Sequence, residues 1–185
     1  SGALDEAYEW TGDPITLGAH CDPGFGGDPA ILQPWRMGYV RTKDNSKIQV
    51  FEAWGAPITI PIDVSTAASV TPGEQVVAFH REYAERHSIP KANCSFDGSL
   101  RAGIVQEYGR LWSNDVAAID AGGPPTTRPV SVMKELSKDG KVRVQATWRD
   151  KVASFNTELW MTASSLIISG QIRGLQPAQE STVKQ

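Results

Sequence analysis

The first sixty residues alternate short apolar segments with turn residues, a pattern typical of antiparallel strands. The first segment, residues 15–21 (ITLGAHC), has the length and character of a buried strand. The second, residues 30–42, contains Pro34, which predicts a bulge or an edge position because proline has no amide proton for the ladder. Turn residues separate it from a third apolar segment at residues 47–62. These neighbouring segments predict an antiparallel meander.

Beyond residue 70 the apolar positions take on helical spacing. Thr71 is placed as an N-cap, Pro72 as the first helical residue, and Glu74 three residues after the cap, which together indicate a capping box. The apolar face of this predicted helix consists of Val76, Val77, Phe79, Tyr83 and Ala84.

The rest of the chain alternates strand and helix signals. Residues 92–98 and 115–125 contain short apolar strands, with a helical pattern at 100–112 between them. Residues 131–148 predict a hairpin around an Asp-Gly turn, and residues 151–170 an amphipathic helix that ends at a glycine. This order predicts an α/β domain whose mixed sheet, antiparallel strands first and parallel strands later, is flanked by α-helices.

Composition sets limits on the class of protein. A chain of 185 residues with 40% hydrophobic and 21% charged residues is typical of one soluble globular domain, preceded by a polar lead-in or linker at residues 1–14. No apolar run is long enough to span a membrane, and the N-terminus lacks the form of a signal peptide. Two cysteines make no disulfide framework, which favours the cytoplasm. The net charge of −3 leaves nucleic-acid binding to local patches.

Two predicted core strands end on an aspartate: Asp22 follows ITLGAHC, and Asp97 follows NCSF. If the first and fourth strands are neighbours, the two carboxylates meet at one edge of the sheet, where α/β proteins bind ligands. Carboxylates held close together repel each other unless a cation neutralises them, and hard oxygen ligands suit Mg²⁺ or Mn²⁺. A pair of such ions about 4 Å apart activates water for phosphodiester hydrolysis. Asp28, in the glycine-rich turn, is expected to reach the same place.

Other interpretations of these residues stay open. An aspartate between a strand and a glycine is often a turn former or a helix cap. Zinc binding by His20, Cys21 and Cys94 matches no standard ligand spacing, and cysteine on a strand more often acts as a small buried apolar residue. His80 is expected at the surface or its boundary, and His87 near a helix end, where the helix dipole favours it.

The exact residues of several segments indicate more than their composition and spacing do. The segment CDPGFGGDPAIL, followed by HSIPKANCSFDGSLRAGIVQEY, resembles the nuclease domain of the large terminase subunit of tailed bacteriophages. The later ASFNTELWMTASSLIISGQIRGL resembles the helix with the pattern F-N-x-x-x-x-W and then G-x-I in that family. The likeness covers about residues 15 to 175, and the order and spacing of the motifs are more specific than each motif alone.

The resemblance implies an RNase H-like nuclease domain over residues 15–185. It implies an endonuclease that cuts concatemeric double-stranded viral DNA during genome packaging, in the cytoplasm of the bacterial host, with the portal protein and the small terminase subunit as further partners. The metal ligands implied are Asp22 on the first strand and Asp97 on the fourth, both catalytic, and Asp28 as an additional acidic position. The cofactor implied is a pair of Mg²⁺ or Mn²⁺ ions.

Two features of the family are not found in this sequence. Its further acidic ligand lies beyond the F-N-x-x-x-x-W helix, and neither Asp150 nor Glu180 fits that position. The Walker A sequence of its ATPase motor does not occur. The expectation is therefore a nuclease domain without its motor and truncated at the C-terminal side, whose own cleavage activity is in question.

Candidate DNA contacts are basic residues on the second and third strands and after Asp97. Such residues neutralise phosphate charge without reading sequence, although solvated strand edges explain each of them equally well. The candidates are Arg36, Arg41, Lys43, Lys47 and Arg101, with Arg101 favoured because it lies near Asp97. The six tryptophans are interpreted as packing residues.

Three other functions remain possible. An RNase H-like domain with an incomplete acidic cluster would dock DNA or the portal without cutting. A resolvase-type nuclease of the same fold would prefer four-way junctions over linear duplex. A purely structural domain, with both aspartates as turn formers, would bind no Mn²⁺.

Overall fold

A computed structural model describes residues 9–24, 28–67, 69–99, 102–130 and 147–173. Its strands are β1 (Glu9–Trp10), β2 (Thr16–Asp22), β3 (Ile31–Arg41), β4 (Lys47–Ala53), β5 (Ile58–Thr59), β6 (Cys94–Asp97), β7 (Ala117–Ile119) and β8 (Ile172–Arg173). Its helices are α1 (Pro72–Arg86), α2 (Ala102–Leu111), α3 (Trp148–Lys151) and α4 (Phe155–Ile168).

These strands form one mixed sheet in the order β7-β6-β2-β3-β4-β8. Strands β2, β3 and β4 are the predicted antiparallel meander, and β6 pairs parallel with β2, as β7 does with β6. The predicted α/β class, a mixed sheet flanked by helices, is confirmed. The predicted lead-in contributes a strand of its own, because Glu9 and Trp10 of β1 pair with the far end of β3.

Pro34 lies inside β3, a strand with partners on both sides, so of the two predicted alternatives, a bulge or an edge position, the edge position is wrong. On one side Pro34 is the register partner of Ala19 in β2. On the other side β3 pairs with β4 from Trp35 onward and with β5 only at Ile31 and Leu32. Pro34 therefore lies in the gap between two partners, where the ladder needs no amide proton from it.

The core lies between the sheet and helices α1 and α2. Alternate residues of β2, including Ala19 and Cys21, point into this core, as Phe96 of β6 does. The ring of Phe96 stacks on that of Tyr108 in α2, with 3.8 Å between the centroids. Burial of these apolar side chains is the main stabilising contribution, and it attaches both helices to the strands that end at Asp22 and Asp97.

Helix α1 begins as predicted, and the capping box between Thr71 and Glu74 is formed. His87 is its C-cap, also as expected, and stacks on Tyr83. The expectation for His80 is wrong: its side chain is fully buried, and its Nδ1 lies 2.9 Å from the hydroxyl of Tyr108. His80 is directed inward because it lies on the helix face that packs against α2.

Helix α4 ends as predicted, with Gly170 at a positive φ of 72° just after its C-cap. The predicted amphipathic character is wrong, because large apolar side chains stay exposed while the helix's only charged residue is buried. Those exposed residues are Leu159, Trp160, Met161 and Ile168. The buried residue, Glu158, accepts hydrogen bonds from the amide and the hydroxyl of Thr126, which supply the polar contacts that a buried carboxylate needs. Most of the predicted hairpin at 131–148 lies outside the described residues.

Candidate functional site

Asp22 and Asp97 end two neighbouring parallel strands. The register pairs Ala19 with Cys94, His20 with Ser95 and Cys21 with Phe96, so each aspartate is the next residue after the last pair. Because side chains alternate along a strand, both carboxylates lie on the face that carries His20 and Ser95, opposite the helix-covered core. The predicted pairing of the first and fourth strands is confirmed.

A tight turn holds the Asp22 side chain. Its Oδ1 accepts a hydrogen bond from the amide of Gly24, at 3.0 Å. Gly24 has a φ of +61°, and a Cβ there would lie 2.7 Å or less from the backbone of Asp28 and Pro29. Only glycine satisfies both conditions, which explains at least this one of the glycines that follow the strand.

Asp97 is held in a similar way. Its Oδ1 accepts hydrogen bonds from the amide of Ser99, at 2.8 Å, and from the Ser99 hydroxyl. The same hydroxyl accepts from the amide of Ala121, which ties the end of β6 to the loop after β7. Within the described part of the chain, Oδ2 of Asp22 and Oδ2 of Asp97 receive no hydrogen bond. One oxygen of each carboxylate thus forms a turn, and the other is available to a ligand.

His20 lies next to the two carboxylates, on the same face of the sheet. Its Nδ1 lies 2.9 Å from Oγ of Ser95, its register partner on β6. Burial lowers the pKa of His20, and the negative charges of Asp97 and Asp22 oppose that shift. The two carboxylates are therefore close enough to influence one side chain electrostatically.

Asp28, the third predicted ligand, does not join this pair. Asp28 is exposed and lines a groove of about 740 Å³ beside the turn that follows β2. Among the described residues, no three His, Cys, Asp or Glu side chains converge as metal ligands would.

The zinc interpretation does not match the geometry. The side chains of Cys21 and Cys94 are buried in the core on the helix side of the sheet, whereas His20 lies on the other face. Burial raises the pKa of the Cys21 thiol to about 12 and that of Cys94 to about 11, which disfavours the thiolate that zinc requires.

Asp120 was not recognised from the sequence. It follows β7, whose last residue, Ile119, is the register partner of Asp97. Strands β2 and β6 therefore end on an aspartate, and the adjacent parallel strand β7 is directly followed by one. The Asp120 side chain forms the same kind of turn as the other two, with Oδ1 accepting from the amide of Gly122 at 3.0 Å. The sequence contained this signal, because AAID before a pair of glycines repeats the pattern of the first two sites.

Three of the candidate DNA contacts, Arg41, Lys43 and Lys47, lie far from this edge of the sheet. Asp22 pairs with Ile31 at the start of β3, and Arg41 lies ten residues further along, about 33 Å away at the usual rise of a strand. Lys43 follows Arg41 in the turn, and Lys47 pairs with Arg41 at that far end.

The remaining candidates differ in their surroundings. Arg36 is half-buried on the core side, forms an ion pair with Glu52 and lies over the ring of Trp10. Lys47 forms an ion pair with Asp13. Arg101 lies outside the described residues.

No family model, no curated protein and no solved structure matches this chain. In the part of the chain that the structure describes, no helix is long and apolar enough to cross a membrane.

Proposed function

We propose that this chain is an RNase H-like domain that cuts double-stranded DNA with divalent metal ions, similar to the nuclease domain of phage large terminase subunits. The observation that carries the proposal is the pair of carboxylates, Asp22 and Asp97, on one face at the ends of adjacent parallel strands. The strand order supports it, because antiparallel strands β2, β3 and β4 are followed by parallel strands β6 and β7. This is the arrangement expected of an RNase H-like sheet.

The donor set fits Mg²⁺ or Mn²⁺, although only two ligands are present among the described residues. Asp22 and Asp97 each have one carboxylate oxygen without a hydrogen-bond donor, and hard divalent cations prefer such oxygens. When bound, the metal supplies an activated water and neutralises charge on the leaving oxygen.

The protein's own contribution is to hold the two carboxylates in place. The turn amides of Gly24 and Ser99 each bind one oxygen and so fix the direction of the other. The hydrogen bond between His20 and Ser95 joins the two strands directly beneath them. Groups held in advance stabilise developing charge without reorganising, which accounts for much of the rate gain in hydrolytic enzymes.

The test is Mn²⁺-dependent cleavage of supercoiled plasmid by the parent chain and by Asp22→Asn. We expect the parent to nick or linearise the plasmid and the variant to be slower by about 10²–10³-fold, the usual loss when a charge-stabilising group is removed. Asp115→Asn, which neutralises an exposed carboxylate elsewhere, is the matched control and should cleave at the parent rate. Equal cleavage by the parent and Asp22→Asn would overturn the proposal.

A second candidate is a domain that docks DNA or the portal protein without cutting. The observation that favours it is that no three potential ligands converge among the described residues. Calorimetry with Mn²⁺ separates the two candidates if no cleavage is seen. Binding that disappears in Asp22→Asn indicates an inactive nuclease, and absence of binding indicates a docking domain.

The proposal includes the partners and location that the resemblance implies. The partners are the portal protein and the small terminase subunit, and the location is the cytoplasm of the bacterial host. Cleavage of four-way junctions in preference to linear duplex would instead indicate a resolvase-type nuclease.

A further inference from the structure

A groove of about 740 Å³ lies beside the turn that follows β2. One wall is the segment from Asp28 to Ala30, and another is the stretch from Ile60 to Val64. The N-terminal turn of α1 and one face of α2 complete it. Its volume is within the range of pockets that bind small organic groups.

The floor of this groove is apolar. Ile60, Val76 and Ile104 are each at most 3% exposed, so they form a fixed surface that belongs to the core. At the rim, Val64 is 79% exposed. An apolar side chain placed in the groove would be removed from water on several sides, which is worth about 25 cal/mol per Å² buried.

The charge of the groove has one sign. Among the described lining residues, the ionisable side chains are Asp28 and Glu107, both acidic. The hydroxyl of Thr71 donates a hydrogen bond to Oε1 of Glu107, at 3.2 Å, which holds that carboxylate at the α1 side of the groove. Such a surface attracts ammonium and guanidinium groups and repels phosphate.

We infer that this groove binds a peptide segment of a partner protein in which an apolar side chain is flanked by lysine or arginine. The apolar side chain contacts Ile60, Val76 and Ile104, and the cations face Asp28 and Glu107. The inference does not depend on the proposed nuclease activity, because Asp22 and Asp97 do not line the groove. Because the groove and DNA are both negatively charged, this surface is assigned to protein binding and not to DNA binding.

The test uses a fluorescein-labelled octapeptide of alternating leucine and lysine, with fluorescence anisotropy as the readout. We expect saturable binding that weakens as salt is raised, and no binding of the matched octapeptide of leucine and glutamate. Glu107→Gln should weaken binding by about fivefold or more, whereas Asp115→Asn, an exposed carboxylate outside the groove, should leave it unchanged.

A second variant tests the apolar part of the inference. Gly103 lines the groove at the start of α2, and a Cβ there would have no atom within 4 Å, so Gly103→Leu places an apolar side chain at an open position of the lining. It should abolish peptide binding, while Val105→Leu on the same helix, which does not line the groove, should not. Circular dichroism checks that both variants are folded. If Gly103→Leu is not folded, Val64→Lys at the rim takes its place in the test and should also abolish peptide binding.

Several results would overturn the inference. The first two are absence of saturable binding and binding that both Gly103→Leu and Val64→Lys leave intact. The third is displacement of the peptide by a duplex oligonucleotide. The fourth is that the peptide does not bind and sedimentation instead shows a dimer of this chain that Gly103→Leu abolishes. Asp22→Asn should leave peptide binding unchanged whatever its effect on plasmid cleavage, so failure of the proposed function and failure of this inference are distinguishable.

Discussion

Single residues show how closely the backbone and side chains approach each other near the candidate site. Gly18, four residues before Asp22, lies against the indole of Trp35, its register partner on β3. A Cβ at Gly18 would overlap with that ring and with the carbonyl of Asn93. Trp35 has little freedom to move, because it packs against Phe51 with 5.2 Å between the ring centroids.

Gly18→Ala should therefore lower the free energy of unfolding by about 1–3 kcal/mol, the usual cost of overpacking. The measurement is the urea midpoint and slope by tryptophan fluorescence. Gly103→Ala, where the added Cβ meets no atom within 4 Å, is the matched control and should be neutral or slightly stabilising because alanine favours helices. Equal destabilisation by both changes would contradict this account of Gly18.

His80 makes stability depend on pH. Burial lowers its pKa to about 3, and among the described residues its Nε2 has no hydrogen-bond partner. In the unfolded chain the imidazole takes up a proton near pH 6.5. Between pH 6.5 and 3 the unfolded state thus binds more protons, so the stability of the folded state falls as pH falls.

We expect the parent to lose about 2 kcal/mol more than His80→Gln between pH 7 and pH 5, from the proton taken up by His80 on unfolding. Urea denaturation at the two pH values measures this. His20, whose pKa is also lowered by burial, has the same sign of effect in both proteins, so the comparison isolates His80 together with its charge repulsion from His20. Parallel pH profiles for the parent and the variant would show that His80 does not titrate on unfolding.

At the scale of elements, helix α1 is the best defined by its own sequence. The Thr71 hydroxyl accepts from the amide of Glu74 at 3.1 Å, and the Glu74 carboxylate accepts from the amide of Thr71 at 2.8 Å. These contacts, with an ion pair to Arg110 of α2, lower the pKa of Glu74. The cap therefore fixes both the start of α1 and its position against α2.

Thr71→Ala should destabilise the fold by about 1 kcal/mol, because the amide of Glu74 loses its acceptor. Thr71→Ser keeps the oxygen and should recover most of that loss. Thermal unfolding followed by circular dichroism gives both values. If serine fails to rescue, the hydroxyl bond is not the source of the effect.

At the scale of the whole molecule, the sheet separates two sets of charged residues. The carboxylates of Asp22 and Asp97 lie at one end of it, and Arg41 and Lys43 at the other, about 33 Å along β3. A DNA duplex that contacts both ends would cover about ten base pairs, at the 3.4 Å rise per pair of one strand. Contacts at the basic end would then contribute to affinity without taking part in the chemistry.

On the proposed function, the double change Arg41→Gln and Lys43→Gln should weaken DNA binding equally for different sequences and reduce the salt dependence by about two phosphate contacts. Cleavage at saturating DNA should stay within about twofold of the parent, because neither residue lies near the carboxylates. Filter binding and initial cleavage rates measure the two quantities. A large loss of rate at saturation would place these residues close to the reacting phosphate.

Much of the fold was predictable because its signals are local. The strand at Thr16–Asp22, the cap at Thr71 and the stop at Gly170 each depend on a few neighbouring residues. The predictions that were wrong concern Pro34, His80 and the exposed side of α4. In each case the outcome depends on which distant element packs alongside, and periodicity within a segment does not contain that information.

The order and type of the main elements, β2 to β4, α1, β6, α2, β7 and α4, could be predicted from the sequence, as could an aspartate at the end of each of two strands. The short elements β1, β5, α3 and β8 could not. Pairing between distant segments placed β6 beside β2, so that Asp97 lies beside Asp22. It placed β7, which Asp120 follows, on the other side of β6, and it put the basic end of β3 far from the carboxylates. The physical reason is that hydrogen bonds within a helix or turn join near neighbours along the chain. Pairing between strands joins residues about 75 positions apart, and burial of the common core selects it.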